Sequence, residues 1–309
     1  MRKLSTLSLG LIALLAVACG NTGGSASPAA PGSSAAASGA PSASAAAACT
    51  KDSLKTATAG KFTIGTDNPA YPPYFQPNAS AATAPWKIAD PTNGQGFESA
   101  VGYAIADKLG FTKTDVAWIV VPFANSYAPG PKTFDIDLNQ VNYKAARTQT
   151  ADLSKGYYFG NQSLVALKGS PLAKATTVAQ LKDSLFGAQV GTTSYDAIAA
   201  VIAPTKKPLV YDTNDLAIDA LRNKTLDGIV VDLPTADYIT NVQIENGAAV
   251  IVGQFQGGTP EYFSAVLAKG SPLTDCVNGA IDALTQDGTL KALVSKWLPF
   301  QDSVPVIKP

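Results

Sequence analysis

The chain has 309 residues, 46% of them hydrophobic, and its 23 Lys and Arg balance its 23 Asp and Glu. A neutral balance leaves no electrostatic footprint for nucleic acid. There is no histidine, which excludes Ser-His-Asp and Cys-His nucleophile systems and any His-ligated metal site.

The chain opens with Arg2 and Lys3 ahead of an apolar run, Leu4 to Ala16, too short to span a bilayer. This predicts an export signal over residues 1–18. Ala16-Val17-Ala18-Cys19-Gly20 resembles a bacterial lipobox, with Ala16 where Leu is usual. That resemblance makes Cys19 a lipidated mature N-terminus. Most of residues 20–48 are Ala, Ser, Gly and Pro, which cannot bury a core, so 19–48 reads as a lipid-bearing Cys on a disordered tether. No later run is long and apolar enough to cross a membrane. With Cys19 lipidated, Cys49 and Cys276 remain as an even pair. The compartment outside the membrane permits a disulfide between them, two buried thiols being the alternative.

Phe62 to Asp67 reads as a first strand, and Pro69, Pro72, Pro73 and Pro77 keep the next stretch irregular. Gly96 to Gly110 has helical period, with Phe97, Val101, Ile105 and Leu109 on one face. Val116 to Pro122 is a second strand. A second set follows: a helix over Val178 to Leu185, a strand over Phe186 to Gly191 and a helix over Ser194 to Ile202. Next come a strand at Leu209 to Tyr211, a helix at Asn214 to Asn223, a strand at Leu226 to Asp232 and a helix from Pro234. Tyr262 to Leu267 is a strand; Asp275 to Gln286 and Thr289 to Leu298 are closing helices around Asp287-Gly288. Strands alternating with helices predict an α/β fold with parallel sheets.

Between the two sets lies Val141-Asn142-Tyr143-Lys144-Ala145-Ala146-Arg147-Thr148-Gln149-Thr150-Ala151-Asp152-Leu153-Ser154, running on to Tyr157-Tyr158. This segment resembles the signature of the extracellular solute-binding proteins of family 3, the amino-acid receptors of ABC importers. The resemblance implies a two-lobed α/β periplasmic-binding-protein fold of type II, a flytrap with two hinge crossings. Residues 49–159 and 257–309 would form the first lobe and 160–256 the second.

The resemblance also implies roles. Arg147 would grip the ligand's α-carboxylate; its planar guanidinium presents parallel N–H donors that match a carboxylate. Gly191-Thr192-Thr193-Ser194, preceded by Gln189-Val190, resembles the family's Gly-Thr-Thr loop, where free backbone N–H groups at a helix start favour an anion. Simple capping of that helix is the alternative for Thr192 and Thr193. Asp232, ending the apolar strand Ile229-Val230-Val231, would take the α-ammonium; it also suits capping of the helix after Pro234. Asp67 lies in the first-strand loop that meets the ligand. Tyr71 and Tyr74 read as aromatic walls or as packed loop residues, and Trp118 and Phe123 as a further wall or as core. Asn139, Gln140 and Asn142 occupy the segment whose backbone meets the ligand. The chain departs from the family pattern at Asn142 and Lys144, where Thr or Ser is usual, and at Ala146, where Glu is usual. An insert, Asn125 to Lys132, lengthens the path into Arg147 and is left without a role.

The function implied is a monomeric, lipid-anchored receptor on the extracytoplasmic face. It would capture a free amino acid, without metal or cofactor, and deliver it to a membrane permease. The rivals are a ligand sensor for a membrane signalling partner and a periplasmic dehydratase on the same scaffold.

Overall fold

In the computed structural model, residues 49–79, 83–255, 261–300 and 303–309 are described. The expected leader, Cys19 and the tether lie outside them. Two sheets organise the chain. The first holds β1 (Phe62–Thr66), β2 (Val116–Val120), β3 (Ile136–Asp137), β4 (Ala151–Gly160) and β10 (Glu261–Ala268), in the order β2-β1-β3-β10-β4. The second holds β5 (Gln162–Leu167), β6 (Phe186–Gln189), β7 (Leu209–Tyr211), β8 (Gly228–Asp232) and β9 (Ala249–Gln254), in the order β7-β6-β8-β5-β9.

Parallel pairing, which the sequence predicts throughout, holds for β2-β1-β3 and for β7-β6-β8. The strands at the crossings are antiparallel: β10 to β3 and β4, and β5 to β8 and β9. The reason is connectivity. β4 passes through Asn161 straight into β5 of the other sheet, and β9 of the second sheet precedes β10 of the first. A chain that leaves and re-enters without a crossover helix meets its neighbours head to tail.

In the first lobe, α1 (Phe97–Lys108) covers the sheet with Phe97, Val101 and Ile105, all fully buried and four residues apart. Gly96 makes that approach possible. Its φ is +97°, and a Cβ there would lie 2.5 Å from the Tyr74 carbonyl oxygen. Helix α6 (Thr274–Gln286) adds Val277, Ile281 and Leu284, and α7 (Thr289–Trp297) adds Leu290. Cys49 is disulfide-bonded to Cys276 of α6, 227 residues away in sequence.

In the second lobe the strand period of two is plain. Leu164 and Val230 enter one core with Phe186, Ile198 and Ile202; Val165, Ile229 and Val231 enter another with Ile218, Leu221 and Ile239. Both faces of β5 and β8 are therefore apolar, as expected of strands covered on both sides. The helix expected over Val178–Leu185 is only a 3-10 turn, Val178–Leu181; Leu185 N–H donates instead to Asp227, at 2.7 Å. The helix expected over Ser194–Ile202 divides into α3 (Thr193–Ala197) and a π turn, Ile198–Ile202.

The C-terminal segment departs from the expected lobe assignment. Residues 304–308, assigned by sequence to the first lobe, dock on the second. Ile307 N–H donates to Gln254 O and Gln254 N–H to Pro305 O, while Lys308 bonds Thr176 and Val178. Ile307 is buried among Val252, Phe255 and Leu172. An apolar side chain and unpaired strand-edge groups on β9 supply the attraction.

Candidate functional site

The loops at the strand ends of both sheets face one cleft. It is lined by Asp67, Tyr71, Tyr74, Phe123, Asn139, Gln140, Asn142 and Arg147 from the first lobe and by Gln189, Thr192, Thr193 and Asp232 from the second. Trp118 is not among the lining residues. Its side chain leaves β2 on the face toward α1, against Phe75 and Tyr103, and Gly102 of that helix leaves room for its ring. Of the two sequence readings for Trp118, the core reading describes its place.

Arg147 is 5% exposed and held from three sides. Its Nη1 donates to Asn142 O and its Nη2 to Gly191 O, the latter at 2.9 Å and across the cleft. The Tyr127 ring lies 4.5 Å from its Cζ and the Phe123 ring 5.6 Å away. Phe123 opens a short helix, α2 (Phe123–Ser126), and Tyr127 caps its C-terminal end within the insert. Lys132 closes that insert by donating to Asn125 O and Ala128 O. The insert thus packs an aromatic face on the guanidinium. Burial pushes the Arg147 pKa down, with Tyr127 and Asp232 opposing.

Asp232 ends β8, where the sheet gives way to α5 (Leu233–Tyr238). Its Oδ1 accepts from Asn142 Nδ2 at 2.8 Å and from Gln162 Nε2 at 2.6 Å. Burial, then the Glu261 carboxylate, push its pKa up to about 7; the two amide donors and Arg147 oppose. Asn142 therefore touches both charges of the site: its carbonyl meets Arg147 and its amide meets Asp232. Gly191 has φ +76°, which turns its carbonyl toward Arg147. Thr192 caps α3 by accepting from Tyr195 N–H and donates to Gln189 O. Thr193 Oγ1 donates to Glu261, at 2.9 Å.

Asp67 accepts from the Asn68 and Phe123 N–H groups, so it also caps α2. Tyr71 donates to Asp215 at 2.6 Å, and the Tyr74 hydroxyl lies 2.9 Å from that of Thr235; both bonds join the lobes. Lys144, the one cation beside the Arg147 segment, pairs with Asp196 at 2.5 Å and does not line the cleft.

Several residues of the site escape sequence reasoning. Gln162 on β5 donates to Asp232 and Glu261 and accepts from Ser194. Glu98 on α1 is fully buried. It accepts from Gln140 N–H at 2.8 Å, from the Gln140 amide and from Tyr157, and so fixes the Asn139–Asn142 turn. Burial raises its pKa to about 7 against those bonds. A lone acid on an apolar helical face was the available signal. Among the described residues, no group of three or more His, Cys, Asp or Glu side chains is placed to hold a metal ion, and no helix is long and apolar enough to cross a membrane.

Residues 78–300 match the bacterial extracellular solute-binding proteins, family 3. The chain belongs to that family. Its relatives include the L-arginine-binding protein of Pseudomonas aeruginosa, 27% identical over 71% of this chain and 86% of its own. The ABC transporter arginine-binding protein 1 of Escherichia coli is 25% identical over 54% of this chain and 68% of its own. Among solved structures, an ancestral arginine-binding protein bound to glutamine is 25% identical, with a TM-score of 0.62, covering 78% of this chain and 98% of that one. The two-lobed family fold and the two sheets described above agree.

Proposed function

We propose that this member of the family is the amino-acid receptor of an ABC importer. The observation that carries the reading is one cleft with Arg147 and Asp232 in it, both touched by Asn142. A zwitterion brings a carboxylate for the guanidinium and an ammonium for the aspartate, and a buried charge needs such a partner. The names of the relatives, which include an ABC transporter protein, support the same reading.

Capture works by closure. The first lobe is residues 49–159 and 257–303, the second 160–256 with the C-terminal segment on it. Arg147, Asp67 and Asn142 belong to one lobe, Thr193 and Asp232 to the other. A ligand that touches both favours the closed form by its differential affinity, with β4–β5 and β9–β10 as the flexing connections. The role is binding and not catalysis. Cys19 carries the lipid, residues 20–48 are the tether, and the closed monomer docks on a permease at the extracytoplasmic face.

The test is a thermal-shift screen of the purified protein against the twenty amino acids. A one-site ligand at a hundredfold excess over its Kd stabilises by about 2.7 kcal/mol, which moves the midpoint by several degrees. Arg147→Ala and Asp232→Ala each abolish the shift on this reading. No shift with any amino acid, or unchanged shifts in both variants, refutes it.

A further inference from the structure

We infer that the side chain of the captured amino acid is a cation, held by Asp215 beside the paired rings of Tyr71 and Tyr238. This inference rests on the receptor reading and adds the chemical class of the ligand. Sequence alone did not single out Asp215.

The first argument is a charge balance. Among the described residues lining the cleft, Arg147 is the one cation, against the carboxylates of Asp67, Asp215 and Asp232. A zwitterion's own charges are met by Arg147 and Asp232. Two carboxylates then remain in the cleft. Asp67 is met by two main-chain N–H groups, from Asn68 and Phe123. Among the described residues Asp215 has no such main-chain donors; its oxygens accept from Tyr71 Oη at 2.6 Å and from Gln243 Nε2 at 3.1 Å. A carboxylate offers about four lone-pair sites, so this one can take two more donors. Its partners are neutral, and they orient it without cancelling its charge.

The second argument is the wall. The Tyr71 and Tyr238 rings stand 5.8 Å apart and tilted by 50°, both lining the cleft. Tyrosine faces attract a guanidinium or ammonium, and a carboxylate beside them completes the recognition of charge as well as of shape. Asp215 itself is rigidly mounted. It lies in the first turn of α4 (Asn214–Arg222), whose cap is supplied separately by Thr213, accepting from Leu216 N–H at 3.3 Å. Asp215 is thus free of capping duty.

The third argument excludes the other classes. An acidic side chain needs a second cation, and Lys144 is spent on Asp196 outside the cleft. A neutral amide leaves the Asp215 charge without a counterpart. The relatives do not decide the matter, since one solved neighbour is an arginine-binding protein bound to glutamine.

The experiment is calorimetric titration of the purified protein with arginine, lysine, citrulline, glutamine and glutamate. Citrulline is the uncharged counterpart of arginine, so the pair isolates the charge. The wild type binds arginine or lysine at least about thirtyfold more tightly than citrulline, glutamine or glutamate. Asp215→Asn lowers the affinity for the cationic ligand about tenfold or more and leaves citrulline within about threefold. Tyr238→Leu lowers the cationic ligand alone, by about fivefold. Preferential binding of a neutral or acidic amino acid overturns the inference and leaves the receptor reading standing. Equal loss of arginine and citrulline in Asp215→Asn overturns it too. Failure to bind any of the five, with no response to the other amino acids, removes the receptor reading along with it.

Discussion

Asp232 makes ligand capture a proton-linked event, and the linkage can be sized. Its pKa stands at about 7, raised from 3.8 by burial and by Glu261. An ammonium bound against it favours the ionised form and pulls that pKa down, so binding expels the proton. At pH 6 about 0.9 of a proton leaves per ligand bound, and at pH 8 about 0.1. Affinity accordingly weakens by close to tenfold per pH unit below 7, because only the ionised fraction of the receptor is competent. Calorimetry at pH 6 in two buffers of different ionisation heat reads the proton directly. Glu261→Gln removes the neighbouring carboxylate, lowers the Asp232 pKa and shrinks the release. A release below about 0.3 at pH 6 refutes the reasoning. The same shift has a stability consequence of definite sign. A carboxyl whose folded pKa is raised contributes fully below its unfolded pKa, near 3.8, and that contribution declines as pH rises through about 7.

Replacing Cys49 and Cys276 by Ser opens a loop closed across 227 residues. The chain-entropy relation gives roughly 5 kcal/mol of lost stability, a midpoint about 10–20 °C lower by calorimetry, with ligand affinity little changed. Ile307→Ala costs about 2–4 kcal/mol and exposes the β9 amides that the C-terminal segment covers, visible as faster hydrogen exchange at Ile307 and Gln254. Tyr127→Leu frees the Arg147 side chain, which must then be ordered on binding. Affinity falls by about 1 kcal/mol, or fivefold, in titration, and Tyr127→Phe restores most of it.

How far the site was legible follows from what periodicity can and cannot carry. Phe97, Val101 and Ile105 repeat at helical spacing and bury together, so α1 was readable. Arg147, Asp232 and the Thr192–Thr193 loop stood out because their segments resemble the family's signatures, not through any periodicity. Trp118 was ambiguous since strand parity, which decides between cleft and core, shifts with one residue of register. Gln162 and Glu98 act through partners 70 and 42 residues away, Asp232 and Gln140; Glu98 shows only as a lone acid on an apolar helical face, and nothing local marks Gln162. The docking of Ile307 on the second lobe depends on an open strand edge that exists only after β9 has folded. Tyr127 was visible as part of an insert, but its stacking on Arg147 is a tertiary fact.

The core position of Trp118 has an optical consequence. Trp86 is buried too, in the first lobe's part of the sequence, Trp297 packs against the same core as Trp118, and residues 160–256 contain no tryptophan. Native emission therefore reports the interior of a single lobe and views the cleft from behind. A fluorescence titration would register closure only as far as that interior relaxes, and a flat trace would be compatible with tight capture. The tryptophan-free lobe, by the same token, can accept one introduced indole near the cleft rim whose signal has no counterpart on its own side.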